Sequence, residues 1–198
     1  MSDKQGKNKK VFDIHKPEPR FPVIEEIQKR FSPRFFSDEK VSAKDLDSIF
    51  EAARWTPSGH NNQPWYFHLT HKNSESYKKL FSTLNEYNQS WAYSAPLLIV
   101  ASKILRDDKY EFEFADYDLG AAVMSLVLQA QSLGYYSRQM ALFDKEKVKE
   151  LFSLDKNMQP CIVIAMGKVG DFEKAPQEVF EYELDPRPRK EKIFEALE

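Results

Sequence analysis

Two arginines and a serine stand close together at the end of a predicted helix. They are Arg30, Ser32 and Arg34, separated by Phe31 and Pro33. Proline disfavours helical geometry at the residue before it, so this stretch is expected to be extended. A guanidinium group donates paired, charge-assisted hydrogen bonds in a plane that fits a phosphate. The pattern is typical of a compact phosphate grip, and it also fits a solvated surface turn.

A polar segment between two prolines is the second candidate. It runs from Pro57 to Trp65 and includes Ser58, Asn61 and Gln63. Asn and Gln side chains each carry a donor and an acceptor, which suits the alternating carbonyl and N–H groups of a flavin ring edge. A turn that merely caps the next strand would use the same residues. His60 in this segment is a candidate proton donor, and its position suits a structural hydrogen bond equally.

The third candidate is a second basic cluster, which lies near the C-terminus and contains Arg187, Arg189 and Lys190. Alone, such a cluster is typical of a solvated tail. It gains a functional meaning only if the fold returns it to Arg30 and Arg34.

Common catalytic and metal-binding motifs are missing from the sequence. The six glycines spell neither GxGxxG nor a P-loop, and no GxSxG elbow occurs. The one cysteine, Cys161, allows no internal disulfide and no CxxC pair, and it is expected to be inert packing in a buried strand. His68 and His71 lie at a strand end, where positions i and i+3 face oppositely, so no metal site is predicted. If the chain is an enzyme, a cofactor is expected to carry its chemistry.

Length and charge limit the class of protein. The 198 residues suit one domain, and 29 basic against 31 acidic residues leave a net charge of -2. This balance argues against nucleic-acid or membrane binding, which favours a basic surplus. The sequence shows no signal peptide and no apolar run near the roughly 18 residues of a membrane span, so a cytoplasmic protein is expected. Residues 1–18 are predicted to be a flexible N-terminal tail, or at most an arm packed on a partner subunit, and residues 19–198 a single domain.

Apolar periodicity predicts the helices and strands that would position these groups. The expected helices run from Phe21 to near Arg30, from Ser42 to before Pro57, over 77–84, over 119–133 up to Gly134, after Asp144 and over 189–197; the expected strands are 65–70, 97–101 and 160–166. This order indicates an α+β fold, or an irregular α/β sandwich, instead of a regular βαβ alternation. The helix over 119–133 is apolar almost all round, so it is expected in a large core or against a second chain.

Five blocks of the sequence, taken in order, resemble the nitroreductase family over nearly the whole chain. The blocks are the Arg30-x-Ser32-x-Arg34 element, a segment of the type EAARxxPSxxNxQPW at 51–65, DLGAA at 118–122 with its apolar continuation, QMALFD at 139–144, and the basic C-terminus. The resemblance implies a nitroreductase-like fold, with a mostly antiparallel central sheet flanked by helices. It also implies a homodimer, with the long buried helix at the interface and FMN between the subunits.

The resemblance further implies an activity and a set of FMN contacts. NAD(P)H would reduce FMN, and a small electron-poor acceptor such as a nitroaromatic or quinone would then take its place, in a ping-pong mechanism. Reductive dehalogenation, flavin cleavage and a non-catalytic flavin-binding dimer remain alternatives on the same fold. The implied FMN contacts are Arg30, Phe31, Ser32, Arg34, Ser58, Asn61, Gln63, Met140, Ala141, Leu142, Arg187 and Arg189.

Two regions depart from the family pattern or leave their role open. Many relatives have two small residues where this chain has Ala141 and Leu142, so Leu142 would narrow the space beside the flavin. Residues 104–117 occupy the place of a substrate-covering insertion, and they fit either a lid or a plain solvated connection.

Overall fold

The computed structural model describes residues 6–196, in which strands are interspersed among a larger number of helices. In chain order the elements are α1 (Gly6–Ile14), α2 (Glu25–Lys29), α3 (Ala43–Arg54), β1 (Trp65–His71), α4 (Glu75–Ser82), α5 (Glu86–Ala92), β2 (Leu97–Ile104), α6 (Ala115–Ser132), β3 (Tyr136–Met140), α7 (Lys145–Leu151), β4 (Met158–Gly167) and α8 (Gln177–Tyr182).

The strands form one antiparallel sheet in the order β1-β2-β4-β3. The first six residues of β2 are all buried, as expected for a central strand covered on both faces. A register shift between Ala101 and Ser102 bends the β2–β4 pair close to Cys161. The fold is α+β with an antiparallel sheet, so this part of the prediction is confirmed.

Helices cover the sheet on both faces and enclose two hydrophobic clusters. On one face, α3 and α6 pack against alternate strand residues such as Ile99 and Ile164. On the other face, α4, α5 and α7 pack against the intervening residues, such as Val100 and Val163. The sheet is therefore the middle layer of a three-layer molecule, and α6 lies beneath its centre.

Local signals fix several helix ends where they were expected. The Ser42 hydroxyl accepts the Asp45 N–H at 3.1 Å, and the Asp144 carboxylate accepts the Lys147 N–H at 3.1 Å. Gly134, with a φ of +80°, follows α6 in the left-handed conformation that helix C-termini favour. Helix α2 is shorter than predicted, because Ile24 precedes it in extended geometry.

The flexible-tail prediction for residues 1–18 is wrong for residues 6–14, which form α1. Its Val11 is fully buried in a small cluster with Phe31 and Phe172. The Asn8 side chain also accepts the Phe172 N–H at 2.7 Å, so this helix is held by the segment after β4. One buried apolar residue in a basic stretch gives little sequence signal. Residues 1–5 of the predicted tail lie outside the described residues.

The predicted helix over 189–197 is also wrong in its described part, 189–196, which is irregular. Ile193 and Phe194 in this segment are 84% and 79% exposed. Because so little of either side chain is buried against the described residues 6–196, packing does not offset the cost of ordering a short helix. The last described helix is α8, and residue 197 lies outside the described residues.

Candidate functional site

The Arg-Ser-Arg element lies between α2 and the sheet, and neighbouring elements hold it in extended geometry. The Arg30 guanidinium donates to the Ser32 hydroxyl at 3.3 Å. Arg138 of β3 donates to the Ser32 carbonyl at 2.6 Å. Arg34 donates to the carbonyl of Tyr182 at 2.9 Å and to the hydroxyl of Tyr87 at 3.2 Å. Edge strand β3 and helix α8 therefore fix the two ends of this element.

Phe31 differs from its neighbours, because its side chain faces the interior and is 2% exposed. Its ring stacks on His15 at 4.6 Å and meets the edges of Phe12 and Tyr136. The prediction that Phe31 contacts a cofactor is therefore not supported for its side chain, which packs the core under the two arginines.

The C-terminal basic cluster does return to the Arg-Ser-Arg element. The Arg187 guanidinium donates to the carbonyl of Arg30, and to the carbonyl of His15 at 2.6 Å. Arg189 is exposed and bends back onto the Arg187 carbonyl at 2.8 Å. The sequence analysis set the condition that the fold return this cluster to Arg30 and Arg34, and the described contacts meet it for Arg30.

The arginines of this cluster repel one another. Burial lowers the pKa of Arg30, and the charge of Arg189 lowers it further. Burial likewise lowers the pKa of Arg187, with added effects of Arg30 and Arg189. The pKa of Arg138 is lowered by burial first and then by Arg34. A bound anion would relieve this repulsion, so these residues fit a phosphate.

The segment after β3 lies beside this cluster. The Met140 side chain is buried in the core, while Ala141 and Leu142 are exposed. The Leu142 carbonyl accepts hydrogen bonds from the Asn85 N–H and from the Asn88 side chain, each at 3.3 Å. The start of α5 thus fixes the backbone of this loop while the Leu142 side chain stays 63% exposed.

The polar loop between Pro57 and Trp65 is held by its own side chains. The Ser58 hydroxyl accepts the Gln63 N–H at 2.9 Å, and the Gln63 amide donates to the Asn61 carbonyl at 3.1 Å. His60, Asn61 and Gln63 have φ values of 51°, 58° and 49°. Residues other than glycine rarely adopt such angles, and each costs on the order of 1–3 kcal/mol, a kind of strain that concentrates at functional sites.

The chain does not bring its two groups of predicted contacts together. The polar loop leads into β1, whereas Arg138 and the 140–142 loop belong to the β3 side, and β1 and β3 are opposite edges of the sheet. Three strand spacings separate those edges, about 14 Å at about 4.8 Å each. One copy of the chain therefore presents two half-sites, a basic one beside β3 and a polar one beside β1.

A cavity of about 320 Å³ between α6 and the sheet was not predicted. Its walls include Lys103 and Asp116, which form an ion pair at 2.7 Å, together with Gln139 and Cys161. Burial raises the pKa of the Cys161 thiol, which keeps it protonated and weakly reactive. Cys161 is only partly buried, although the sequence suggested a fully buried position.

The remaining predictions concern segments around these half-sites. Residues 105–112 form a short exposed hairpin, in which the Phe112 N–H donates to the Leu105 carbonyl at 2.8 Å. Whether this hairpin covers a substrate stays a prediction.

Between residues 6 and 196, no group of His, Cys, Asp or Glu has metal-binding geometry. Within the same residues, no helix is long and apolar enough to cross a membrane.

Known structures share this architecture. A crystal structure described as an oxidoreductase containing FMN is 28% identical, with a TM-score of 0.81, and the match covers 91% of this chain and 97% of that one. A nitroreductase family protein from Clostridium difficile is 26% identical with a TM-score of 0.65, covering 80% of this chain and 90% of that one. The three-layer fold is thus that of a class of flavin-dependent oxidoreductases.

The family can be stated from the sequence match as well. Residues 27–168 match the model of the nitroreductase family. A protein of Archaeoglobus fulgidus, named after NADH dehydrogenase and NAD(P)H nitroreductase activities, is 28% identical over 145 residues, which cover 71% of this chain and 82% of the relative. The chain belongs to the nitroreductase family and is an oxidoreductase.

Arg138 and Glu183 contact the Arg-Ser-Arg element, and the sequence indicated neither of them. Arg138 contacts the Ser32 carbonyl, and Glu183 accepts the N–H of Arg34 although 149 positions separate the two residues. Arg138 lies on the same face of β3 as Tyr136 and Met140, because alternate residues of a strand share a face. A sequence analysis that had predicted β3 could have placed Arg138 on this face.

Proposed function

We propose that this protein is a cytoplasmic, homodimeric oxidoreductase that uses FMN to carry electrons from NAD(P)H to small electron-poor acceptors such as nitroaromatics and quinones. NAD(P)H and the acceptor would occupy one site in turn, which gives ping-pong kinetics. FMN supplies the hydride-accepting and electron-donating chemistry, and the residues of the chain bind and orient it.

The observation that carries this proposal is the mutual repulsion of the arginines beside Ser32. Burial lowers the pKa of Arg30 and of Arg187, and the charge of Arg189 lowers both further, so a bound anion would stabilise this cluster. The terminal phosphate of FMN is such an anion, with a charge near -2 at neutral pH, as for other phosphate monoesters. In this arrangement the arginines and the Ser32 hydroxyl hold the phosphate.

The flavin ring requires donors and acceptors that the two loops provide. Asn61 and Gln63 carry exposed amide groups in a strained loop that is suited to hold them in place. The exposed residues Ala141 and Leu142, with the backbone of Met140, would run along the ring and place a backbone N–H near its reacting nitrogen. Donors directed at developing negative charge stabilise it without reorganisation, which is the contribution expected of the protein.

A second copy of the chain explains how two separated half-sites form one site. The basic half beside β3 of one copy would face the polar loop before β1 of the other. This arrangement is supported by the position of the polar loop, which the Asp118 carboxylate ties to the first turn of α6. If α6 forms the interface, its N-terminal turn carries the loop toward the partner.

The outer face of α6 has the apolar stripe that such an interface needs. Tyr117, Ala121, Met124 and Leu128 recur at spacings of four, three and four, so they lie on one face of the helix. Tyr117 is 78% and Met124 38% exposed. Trp55, which is 74% exposed, extends this surface, because the adjacent Thr56 hydroxyl donates to Ser125 at 2.8 Å. The outer face of α6 together with Trp55 is called the α6 surface below.

The contacts described between residues 6 and 196 include no paired acid and base at the site. His60 is exposed in the polar loop and has no carboxylate bonded to it among the described contacts. It remains a candidate proton donor, and solvent could supply the same proton. A site with this composition would accept varied electron-poor molecules, because their reduction needs little help from specific side chains.

The test is anaerobic reduction followed by steady-state kinetics. Purified protein should release about one FMN per chain on denaturation, and NADH or NADPH should bleach its yellow colour without oxygen. Reciprocal plots with a nitroaromatic or quinone should then give parallel lines. If FMN is bound but neither nicotinamide reduces it, the activity is not that of an NAD(P)H oxidoreductase, and a flavin-binding role takes its place.

A further inference from the structure

A fully buried carboxylate lies behind the basic half-site. Glu183 directly follows α8 and has no exposed surface. Its Oε1 accepts the backbone N–H of Arg34 at 2.5 Å and lies 3.8 Å from the Arg34 Nη1. Its Oε2 lies 3.6 Å from the Nε2 of His15. Burying a carboxylate is unfavourable unless a cation compensates it, and Arg34 provides that charge.

The end of α8 holds Arg34 through two consecutive residues. Besides the contacts with Glu183, the Arg34 Nη1 donates to the Tyr182 carbonyl, and the guanidinium lies 5.5 Å from the centre of the Tyr182 ring. The backbone and one edge of the guanidinium are therefore fixed. No hydrogen bond or ion pair among residues 6–196 involves the second terminal nitrogen of Arg34, Nη2. This nitrogen is therefore available to a ligand.

The same carboxylate joins three segments that are distant in sequence. The His15 ring lies between Glu183 and Phe31, on which it stacks at an angle of 14°. The His15 carbonyl accepts Arg187. Glu183 thus contacts the end of the N-terminal segment and the Arg-Ser-Arg element, and it begins the segment that carries Arg187.

We propose that Glu183 is a positioning residue of the flavin site, which fixes Arg34 in the orientation that binds FMN. This proposal rests on the proposed function. Glu183 itself is buried behind Arg34 and would not touch the cofactor. The direction in which a substitution of Glu183 changes FMN affinity distinguishes positioning from a pure charge effect. By charge alone, neutralising a carboxylate near a phosphate strengthens anion binding, whereas loss of a positioning contact weakens it.

The first experiment replaces the carboxylate by an amide of the same shape. Glu183→Gln keeps an acceptor for the Arg34 N–H and removes the charge that holds the guanidinium. FMN affinity of the apoprotein, measured by flavin fluorescence, should fall about tenfold. Glu181→Gln is the matched control, because Glu181 is an exposed residue two positions away whose carboxylate accepts a hydrogen bond from the Gln177 side chain. Its FMN affinity should equal that of the wild type.

A double-mutant cycle separates positioning through Arg34 from a general structural role. In an Arg34→Gln background, Glu183→Gln should cause no further loss of FMN affinity, because the residue it acts through is gone. A merely structural role would weaken FMN binding by the same factor in both backgrounds. That result, or unchanged or tighter binding by Glu183→Gln alone, would overturn the proposal.

Thermal unfolding of the apoproteins keeps the test decisive if one variant is unstable. Arg34→Gln leaves the buried carboxylate without its cation and should lower the unfolding midpoint. Adding Glu183→Gln should raise the midpoint again, and a double variant no more stable than Arg34→Gln contradicts the pairing. Failure of the proposed function looks different: wild-type protein itself would then bind no FMN.

Discussion

Asp118 accepts the backbone N–H of Gly59 with both carboxylate oxygens, at 3.3 and 3.2 Å. The carboxylate lies in the first turn of α6 and is buried, while Gly59 begins the strained part of the polar loop. An acidic residue is favourable in the first turn of a helix, because the free N–H groups there carry partial positive charge. One side chain therefore serves the start of the central helix and the polar half-site together.

Asp118→Ala is expected to lower the free energy of unfolding by about 1–3 kcal/mol, because the buried Gly59 contact is lost. The released loop should also bind FMN more weakly, since its left-handed residues are no longer held. Urea denaturation and FMN titration would measure the two effects. Glu113→Ala is the control, because Glu113 is exposed and lies just before the same helix. Equal stability of the two variants would show that the contact is unimportant.

The regular parts of the fold were predictable because burial leaves a local pattern. The apolar run of β2 and the apolar periodicity of α6 identify those elements, and Ser42 and Asp144 mark helix starts by hydrogen bonds within three residues. Each of these signals is contained in a short window of sequence.

Elements that depend on distant partners were not predictable in this way. Strand β3 contains Ser137, Arg138 and Gln139, and it is a strand because β4 pairs with it. Helix α1 depends on the buried contact of Val11 with residues after β4. For the same reason, the sequence indicated the two basic clusters and the polar loop, but not that Glu183 compensates the charge of Arg34.

Arg30→Ala is expected to weaken FMN binding and to leave riboflavin binding nearly unchanged, because riboflavin lacks the phosphate. A charge-assisted hydrogen bond contributes about 1.5–3 kcal/mol, so FMN affinity should fall roughly ten- to over a hundredfold. Arg189→Ala should act in the same direction. Lys192→Ala is its control, since Lys192 pairs with Glu195 in the same segment. Equal losses for FMN and riboflavin would place these arginines away from the phosphate.

Met124→Glu should convert the proposed homodimer into monomers, because it buries a charge at the centre of the α6 surface. Light scattering at low micromolar concentration would measure the mass. Ser82→Glu places the same charge on α4, on the opposite face of the sheet, and should leave the dimer intact. Monomeric protein should also lose FMN, since the two half-sites of one copy lie at opposite edges of the sheet and cannot form a complete site together. A dimeric Met124→Glu variant would mean that another surface mediates association.

His68 should make the folded state sensitive to mild acid. Burial between Tyr66 and Phe152 lowers its pKa below the usual value near 6.5. As pH falls below that value the unfolded chain gains a proton first, so stability decreases until the lowered folded-state pKa is reached. His68→Leu should reduce this loss between pH 8 and pH 5 in urea denaturation. His71 lies on the same strand but is exposed, so His71→Leu should show the same loss of stability as the wild type. If His68→Leu and the wild type have identical pH profiles, His68 is not the cause of this loss.

Leu142→Gly is expected to widen the range of acceptors. The Leu142 side chain is 63% exposed at the end of β3, where the proposed flavin would lie, and its backbone is fixed by Asn85 and Asn88. Removing the side chain should therefore open space without moving the loop far, although glycine adds some freedom to it. The kcat/KM for a bulky quinone should rise several-fold relative to that for a small nitroaromatic, with FMN affinity little changed. Leu105→Gly, in the exposed hairpin, is the comparison for loss of an exposed leucine. Equal kcat/KM ratios in wild type and Leu142→Gly would show that Leu142 does not border the acceptor.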